Sequence, residues 1–150
     1  MDCIELLREP IRFDTVNPPG NEKPAAQYLT GLLQTAGFRC EVQDLGGNRA
    51  NLIAVLGGGD GPELMLTGHL DVVPAVGAWD SSPFSMAEKD GRLYGRGTSD
   101  MKGGIAAMCE AAMGCAARKE PMKGSLKLLF VADEECSNLG TLSYLKTHGG

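Results

Sequence analysis

Apolar positions along this chain follow two rhythms, stripes at helical spacing and short unbroken runs, and the elements follow from where each begins and ends. Ile4, Leu6, Leu7 and Ile11 recur at roughly helical spacing within residues 2–13, where Pro10 is expected to kink or shorten the helix. Val16-Asn17-Pro18-Pro19-Gly20 is a turn-rich break. A second helix is predicted from Glu22 to Ala36, with Asn21 as N-cap, Pro24 in the first turn and Gly37 as the stop. Its Ala25, Tyr28, Leu29, Leu32, Leu33 and Ala36 share one face, the pattern of a helix laid on a sheet. Strands are predicted at Phe38–Asp44 and Asn51–Leu56, and a third opens at Leu64 after Gly57-Gly58-Gly59-Asp60-Gly61-Pro62. That glycine run reads as a turn and not a phosphate loop, since no Gly-Lys-Ser/Thr follows it and no helix opens there.

The third strand, Leu64-Met65-Leu66, has the continuous apolar character of a strand buried on both faces. Phe84–Met86 and Arg92–Tyr94 flank Lys89-Asp90-Gly91, and Asp-Gly between strand-like pieces signals a hairpin. An alanine-rich helix is predicted from Gly103 to Ala117, a buried strand from Ser125 to Ala132, and a last helix from Asn138 to His148, stopped by Gly149 and Gly150. Helices interleaved with apolar strands predict an α/β fold with a largely parallel sheet and some antiparallel edge pairing. No internal repeat or linker interrupts the 150 residues, a usual size for one domain.

Composition narrows the class. Hydrophobic content of 43% with 22% charged residues is that of a globular chain, and a net charge of -5 argues against a nucleic-acid or anionic-membrane surface. No apolar run approaches the ~20 residues that span a bilayer. Met1-Asp2-Cys3-Ile4-Glu5 lacks the basic head and apolar stretch of a signal peptide. The cysteines Cys3, Cys40, Cys109, Cys115 and Cys136 are odd in number and without a C-x-x-C pair, which suits free thiols in a reducing cytosol. A cytoplasmic location is expected.

Candidate chemistry gathers at the strand ends. His69 and Asp71 lie two apart, so extended backbone projects both to one side. They read either as a metal-ligating histidine held by a carboxylate or as a surface ion pair at a capped strand end. Asp100 precedes a helix, and Asp133-Glu134-Glu135 follows a buried strand. In open α/β sheets ligands bind beyond the carboxyl ends of the strands, so these groups are expected on one rim. Converging carboxylates repel, and a divalent cation relieves the repulsion. A mixed nitrogen and oxygen set suits Zn²⁺, with Co²⁺ or Mn²⁺ as substitutes. Adjacent side chains of extended backbone point apart, so one of Glu134 and Glu135 would bind metal while the other stays free as a general base. A solvated acidic loop is the plainer reading of that run. His148 reads as a surface residue.

Three segments carry a resemblance: Thr67-Gly68-His69-Leu70-Asp71-Val72-Val73-Pro74, Gly95-Arg96-Gly97-Thr98-Ser99-Asp100-Met101-Lys102-Gly103-Gly104 and Ala132-Asp133-Glu134-Glu135. In this order they resemble the successive signatures of the co-catalytic zinc peptidases that include acetylornithine deacetylase, succinyl-diaminopimelate desuccinylase, aminoacylase-1, carboxypeptidase G2 and carnosinase. The resemblance implies a three-layer α/β/α catalytic domain with a mostly parallel mixed sheet, of which residues 1–150 would be the N-terminal part. It implies that His69 binds one zinc and Asp71 orients it, that Asp100 bridges two zincs after which the peptide is cis, that Glu134 is the general base and that Glu135 binds the second zinc. The implied reaction is hydrolysis of the amide bond of an N-acyl amino acid or short peptide. A further carboxylate, a distant histidine and a lid domain that dimerises are implied elsewhere in such enzymes, so this chain alone is not expected to be a competent hydrolase. The alternative is a truncated, non-catalytic module of the same fold that binds metal or a partner.

Overall fold

The computed structural model describes residues 2–118 and 121–149. Its elements are α1 (Cys3–Arg12), α2 (Lys23–Thr35), β1 (Arg39–Asp44), β2 (Ala50–Gly57), β3 (Glu63–His69), β4 (Ala87–Lys89), β5 (Arg92–Tyr94), α3 (Lys102–Ala116), β6 (Ser125–Val131) and α4 (Leu139–His148). The Asp2 carboxylate caps α1 by accepting from the Glu5 N–H at 2.9 Å. Pro10 stays inside the helix, which ends at Arg12. At the start of α2 the N-cap position falls on Glu22 and not on Asn21. Asn21 instead donates to the Asp14 carbonyl at 2.9 Å. Gly37, at φ +94°, closes α2 in the left-handed conformation that glycine adopts without strain. The stop of the last helix falls on Gly149, and Gly150 lies outside the described residues.

The main sheet has the order β1-β2-β6-β3 and is mixed. Its parallel ladder is β3–β6, while β1–β2 and β2–β6 are antiparallel, so the largely parallel sheet expected from the sequence is corrected here. Connection length explains the difference. A short loop joins β1 to β2 and forces them antiparallel, whereas β3 reaches β6 through α3, the crossover that parallel neighbours need. The hairpin forms as β4 and β5 with Lys89 opposite Arg92, and Asp90 and Gly91 both have positive φ. A two-residue turn of that type fixes its flanking pair, which moves the first strand from the expected 84–86 to Ala87–Lys89.

Alternation along β2 and β6 sets the layers. Leu52, Ala54, Leu126, Leu128 and Phe130 join one core with residues of α1, α2 and α3. Ile53, Leu129 and Val131 turn to the other face and pack with Tyr144 of α4. The result is three layers, helices over both faces of the sheet. β3 departs from expectation: it is an edge strand, with Leu64 61% and Met65 45% exposed, not a strand buried on both faces. The strand is buried only towards its end, at Gly68 and His69, beyond the apolar run. No helix among the described residues is long and apolar enough to cross a membrane.

α4 approaches the end of β6 so closely that a Cβ on Gly140 would lie 2.4 Å from the Ala132 carbonyl oxygen and from Asn51 Oδ1. Both atoms are fixed. The Ala132 carbonyl accepts from the Gly140 N–H at 3.0 Å, and Asn51 Oδ1 accepts from the Ala132 N–H at 2.9 Å. Gly140→Ala is therefore expected to destabilise the fold by ~1–3 kcal/mol, the usual range for forcing an extra carbon into a filled core. A shift of the urea midpoint to lower concentration is the check, and an unchanged midpoint would contradict the packing described.

Candidate metal centre

Because β3 and β6 run parallel with His69 opposite Val131, the segments that follow them emerge on the same rim. The Leu70 N–H donates to the Val131 carbonyl at 2.8 Å, extending the ladder past the strand end. Residues 15–17 lie beside 70–72 as a third strand-like piece. Val16 and Val72 form a parallel bridge, the Asn17 N–H donates to the Val72 carbonyl at 2.9 Å, and Thr15 Oγ1 donates to the Leu70 carbonyl at 2.7 Å. Asp100 enters from the loop before α3, across the cis peptide Asp100–Met101, and the His69 N–H meets Met101 Sδ at 3.3 Å.

On this rim one ligand atom each from His69, Asp100 and Glu135 lies within 4.8 Å of the others. His69 Nε2 is 3.0 Å from Asp100 Oδ1 and 3.8 Å from Glu134 Oε2. At the opposite ring nitrogen, Nδ1–H donates to the Asp71 main-chain carbonyl at 2.9 Å, while the Asp71 carboxylate is 3.5 Å away. The histidine is thus held chiefly by a carbonyl and secondarily by the carboxylate. His69 and Asp71 are buried, whereas the side chains of Asp100 and Glu134 are 73% and 47% exposed, so the site is rooted in the core and open to solvent.

Asp71 is the hub. Its Oδ1 accepts from the Glu134 N–H at 3.1 Å, and its Oδ2 from the Glu135 N–H at 3.0 Å and from Asn17 Nδ2 at 2.8 Å. Burial alone would raise the Asp71 carboxyl, but His69, Asn17 and the two main-chain N–H groups outweigh it and hold it below the usual carboxylate range. Glu135 moves the other way. Burial raises it, and the carboxylates of Asp100, Glu134 and Asp71 add to the rise against the pull of His69.

The donor set fits a divalent cation. A carbonyl can only accept, so Nδ1 carries a proton and Nε2 is the nitrogen turned toward the carboxylates. A nitrogen and carboxylate oxygens converging at one point, with no lysine or arginine among them, is the ligand chemistry of zinc and similar metals. Without a metal, a proton takes that place. Burial pushes the His69 imidazole down, but its bonds to Asp71 and Asp100 prevail and lift it to about 9. Protonated His69 therefore stabilises the metal-free fold fully below pH 6.5, its ordinary value, and that contribution is lost as pH rises through about 9. A cation must displace the same proton. Metal affinity is thus expected to rise by about tenfold per pH unit below that value, with proton release. Calorimetry in buffers of different ionisation enthalpy checks this, and pH-independent affinity would contradict it.

Sequence reasoning did not single out Asn17, Glu22 and Arg49, and Asp133 only as one of an acidic run. All of them except Arg49 are buried. Arg49 donates to Glu22 through Nη2 at 2.7 Å and Nε at 3.1 Å, and its Nη1 lies 2.9 Å from Asp133 Oδ1. Asp133, at φ +69°, also accepts from the Leu139 N–H at 3.1 Å and from the Ser137 hydroxyl, and so anchors α4. Polar residues scattered between 17 and 133 have no periodicity that would mark them as one cluster. His148 stacks on Tyr144 with centroids 4.8 Å apart and lies near Glu41, away from the candidate ligands.

The geometry has a counterpart among known proteins: the model of peptidase family M20/M25/M40 matches residues 65–149, which include all of His69, Asp71, Asp100, Glu134 and Glu135. The chain belongs to that family. Among curated relatives of this M20 chain, the succinyl-diaminopimelate desuccinylase of Rickettsia canadensis is 40% identical over 139 residues, covering 88% of the chain and 35% of the relative. The enzyme of the same name from Wolbachia pipientis is 36% identical over 149 residues, covering 97% of the chain and 37% of its own length. The chain therefore spans about a third of the curated relatives it matches. Human carnosine dipeptidase 1 superposes with a TM-score of 0.82 at 24% identity, over 97% of this chain and 34% of its own. The M20 family metallo-carboxypeptidase Sso-CP2 of Sulfolobus solfataricus gives 0.84 at 24% identity, over 98% and 34%. Both likenesses concern the fold.

Proposed function

We propose that this chain is the N-terminal part of the catalytic domain of a metal-dependent amide hydrolase. The observation that carries the reading is the convergence of His69, Asp100 and Glu135 within 4.8 Å, with the free carboxylate of Glu134 beside them. His69 Nε2 and the carboxylates of Asp100 and Glu135 would hold the metal, and this nitrogen and oxygen set suits zinc. Bound there, divalent metal supplies Lewis acidity toward a carbonyl oxygen and lowers the pKa of water. Glu134 is the general base: its carboxylate takes the proton of the attacking water and returns it to the leaving amine. Asp71 keeps His69 in the tautomer that presents Nε2 and holds the N–H groups of Glu134 and Glu135.

The substrate class is an N-acyl amino acid or a short peptide, and the names of the desuccinylase relatives favour an N-succinyl or other N-acyl amide. The five free cysteines among the described residues suit a cytoplasmic enzyme, and the complete protein is a homodimer in this reading. The test is to measure metal content and hydrolysis of N-succinyl amino acids, N-acetyl amino acids and dipeptides on one preparation, for the chain and for the longest natural protein containing it. The expected result is metal-dependent turnover by the longer protein, abolished together with metal binding by His69→Ala, and no turnover by the chain alone. Metal binding by the longer protein without hydrolysis of any substrate would favour a non-catalytic binding module, and no binding of metal by either would reject the site itself.

A further inference from the structure

Behind the candidate ligands lies a buried polar cluster, and one side chain in it does something the others do not. Asn17 Nδ2 reaches Asp71 Oδ2 at 2.8 Å and Asp133 Oδ1 at 2.8 Å, spending its two protons on two different carboxylates. Asn17, Asp71 and Asp133 are 3%, 0% and 2% exposed, so neither carboxylate has water as an alternative partner. Side by side and unbridged, the two negative groups would repel.

The two carboxylates hold the Glu134–Glu135 segment from both sides. Asp71 receives the Glu134 and Glu135 N–H groups directly. Asp133 immediately precedes Glu134, and its carbonyl accepts from the Asn138 N–H at 2.6 Å, closing the turn that carries both glutamates. Arg49 steadies the Asp133 side and is itself seated against Glu22. Gly20 makes that seat possible: at φ +83°, its Cβ would fall 2.4 Å from Arg49 Nε. Arg49 does not reach Asp71, so among the described residues the bridge between the two carboxylates is Asn17.

We propose that Asn17 is a positioning residue for this site, whose carboxamide locks Asp71 to Asp133 and thereby fixes Glu134 and Glu135 relative to His69. A neutral amide is the suitable bridge. It supplies a donor to each carboxylate from one side chain and adds no charge to the cluster. The inference deepens the metal-site reading and rests on it for the zinc arm of its test.

The test compares the unsubstituted chain with Asn17→Ala and Asn17→Asp. Amide hydrogen exchange is read at Glu134, Glu135 and the inner β6 positions Leu128 and Leu129 in the metal-free state, and zinc affinity by calorimetry. Asn17→Ala is expected to speed exchange at Glu134 and Glu135 by about tenfold, the loss of roughly one hydrogen bond, with β6 unchanged. Zinc affinity is expected to fall about 10–100-fold, the usual consequence of removing a support behind a metal ligand. Asn17→Asp keeps the shape but adds a third carboxylate, and should weaken zinc at least as much. Unchanged exchange at Glu134 and Glu135, or acceleration spread equally over β6, would overturn the proposal, the latter because it marks a merely structural role. Should neither variant fold, the Asn17 side-chain amide protons of the unsubstituted chain decide: slow exchange supports the bridge, and exchange at the free rate rejects it. An unsubstituted chain that takes no zinc would reject the metal reading alone, since the exchange arm judges the bridge without metal.

Discussion

In the longest natural protein that contains this chain, Glu134→Gln is expected to lower amide hydrolysis by about 10²–10⁴-fold, the usual contribution of a general base, which is the role proposed for Glu134, and to leave metal content unchanged. The carboxylate of Glu134 is 3.8 Å from His69 Nε2 and half exposed, close enough to face a bound substrate and free of the hydrogen bonds that tie down Asp71. Glutamine keeps the size of the side chain and leaves the main-chain N–H bond to Asp71 intact, so the turn that also carries Glu135 should stand. What disappears is the ability to take a proton. Glu135→Gln is expected to act differently, lowering metal content first, because that side chain belongs to the converging ligand cluster. Steady-state kinetics and metal analysis on the same samples separate the two. A Glu134→Gln enzyme with near-normal kcat would reassign the base.

The largest loss of stability is expected from Arg49→Met. Glu22 is fully buried and has the guanidinium as a bidentate partner, and Asp133 meets the same cation at 2.9 Å. Methionine retains most of the apolar volume but leaves two buried carboxylates without their cation. Breaking a buried pair by removing one partner costs ~3–5 kcal/mol, more than the pair itself contributes, because the remaining charge is stranded. The pH dependence carries the signature. In the unsubstituted chain burial would raise the Asp133 carboxyl, but Ser137, Asn17, the Leu139 N–H and Arg49 together hold it far below the usual range. A lowered carboxyl contributes stability above its ordinary range and loses it as pH falls. In Arg49→Met the Asp133 carboxyl loses one of the partners that hold it low, so the deficit against the unsubstituted chain should shrink as pH falls through the ordinary carboxylate range. Urea denaturation at several pH values measures it. A deficit that stays constant with pH would show that Arg49 acts through packing and not through charge.

Residues that speak through their neighbours in sequence were legible without coordinates. The spacing of Leu29 and Leu33 announced a helix with one buried face, and Gly37 its end. Asp90-Gly91 announced the hairpin turn, although only the turn geometry set which residues pair across it. His69, Asp100 and Glu135 were legible as candidates because each stands where an apolar element begins or ends, and the three segments around them resemble a family pattern. The run Leu64-Met65-Leu66 misled, since apolar continuity reports composition and not which side of a strand has a neighbour. The position of β3 at the sheet edge depends on how the rest of the sheet is ordered.

What the sequence by itself determined is the set of elements and the chemical identity of the rim residues, because helical and extended backbones impose local periodicities that a single chain segment displays. Tertiary structure alone decided the mixed pairing of the sheet and the bridge from Asn17 to Asp71 and Asp133 across 54 and 116 positions of sequence, and it gave the convergence expected of His69, Asp100 and Glu135 its distances. Hydrogen bonds at such separation have no local signal. Each is worthwhile only once burial has removed water from both partners, and which groups lose their water together is settled by the packing of the whole fold.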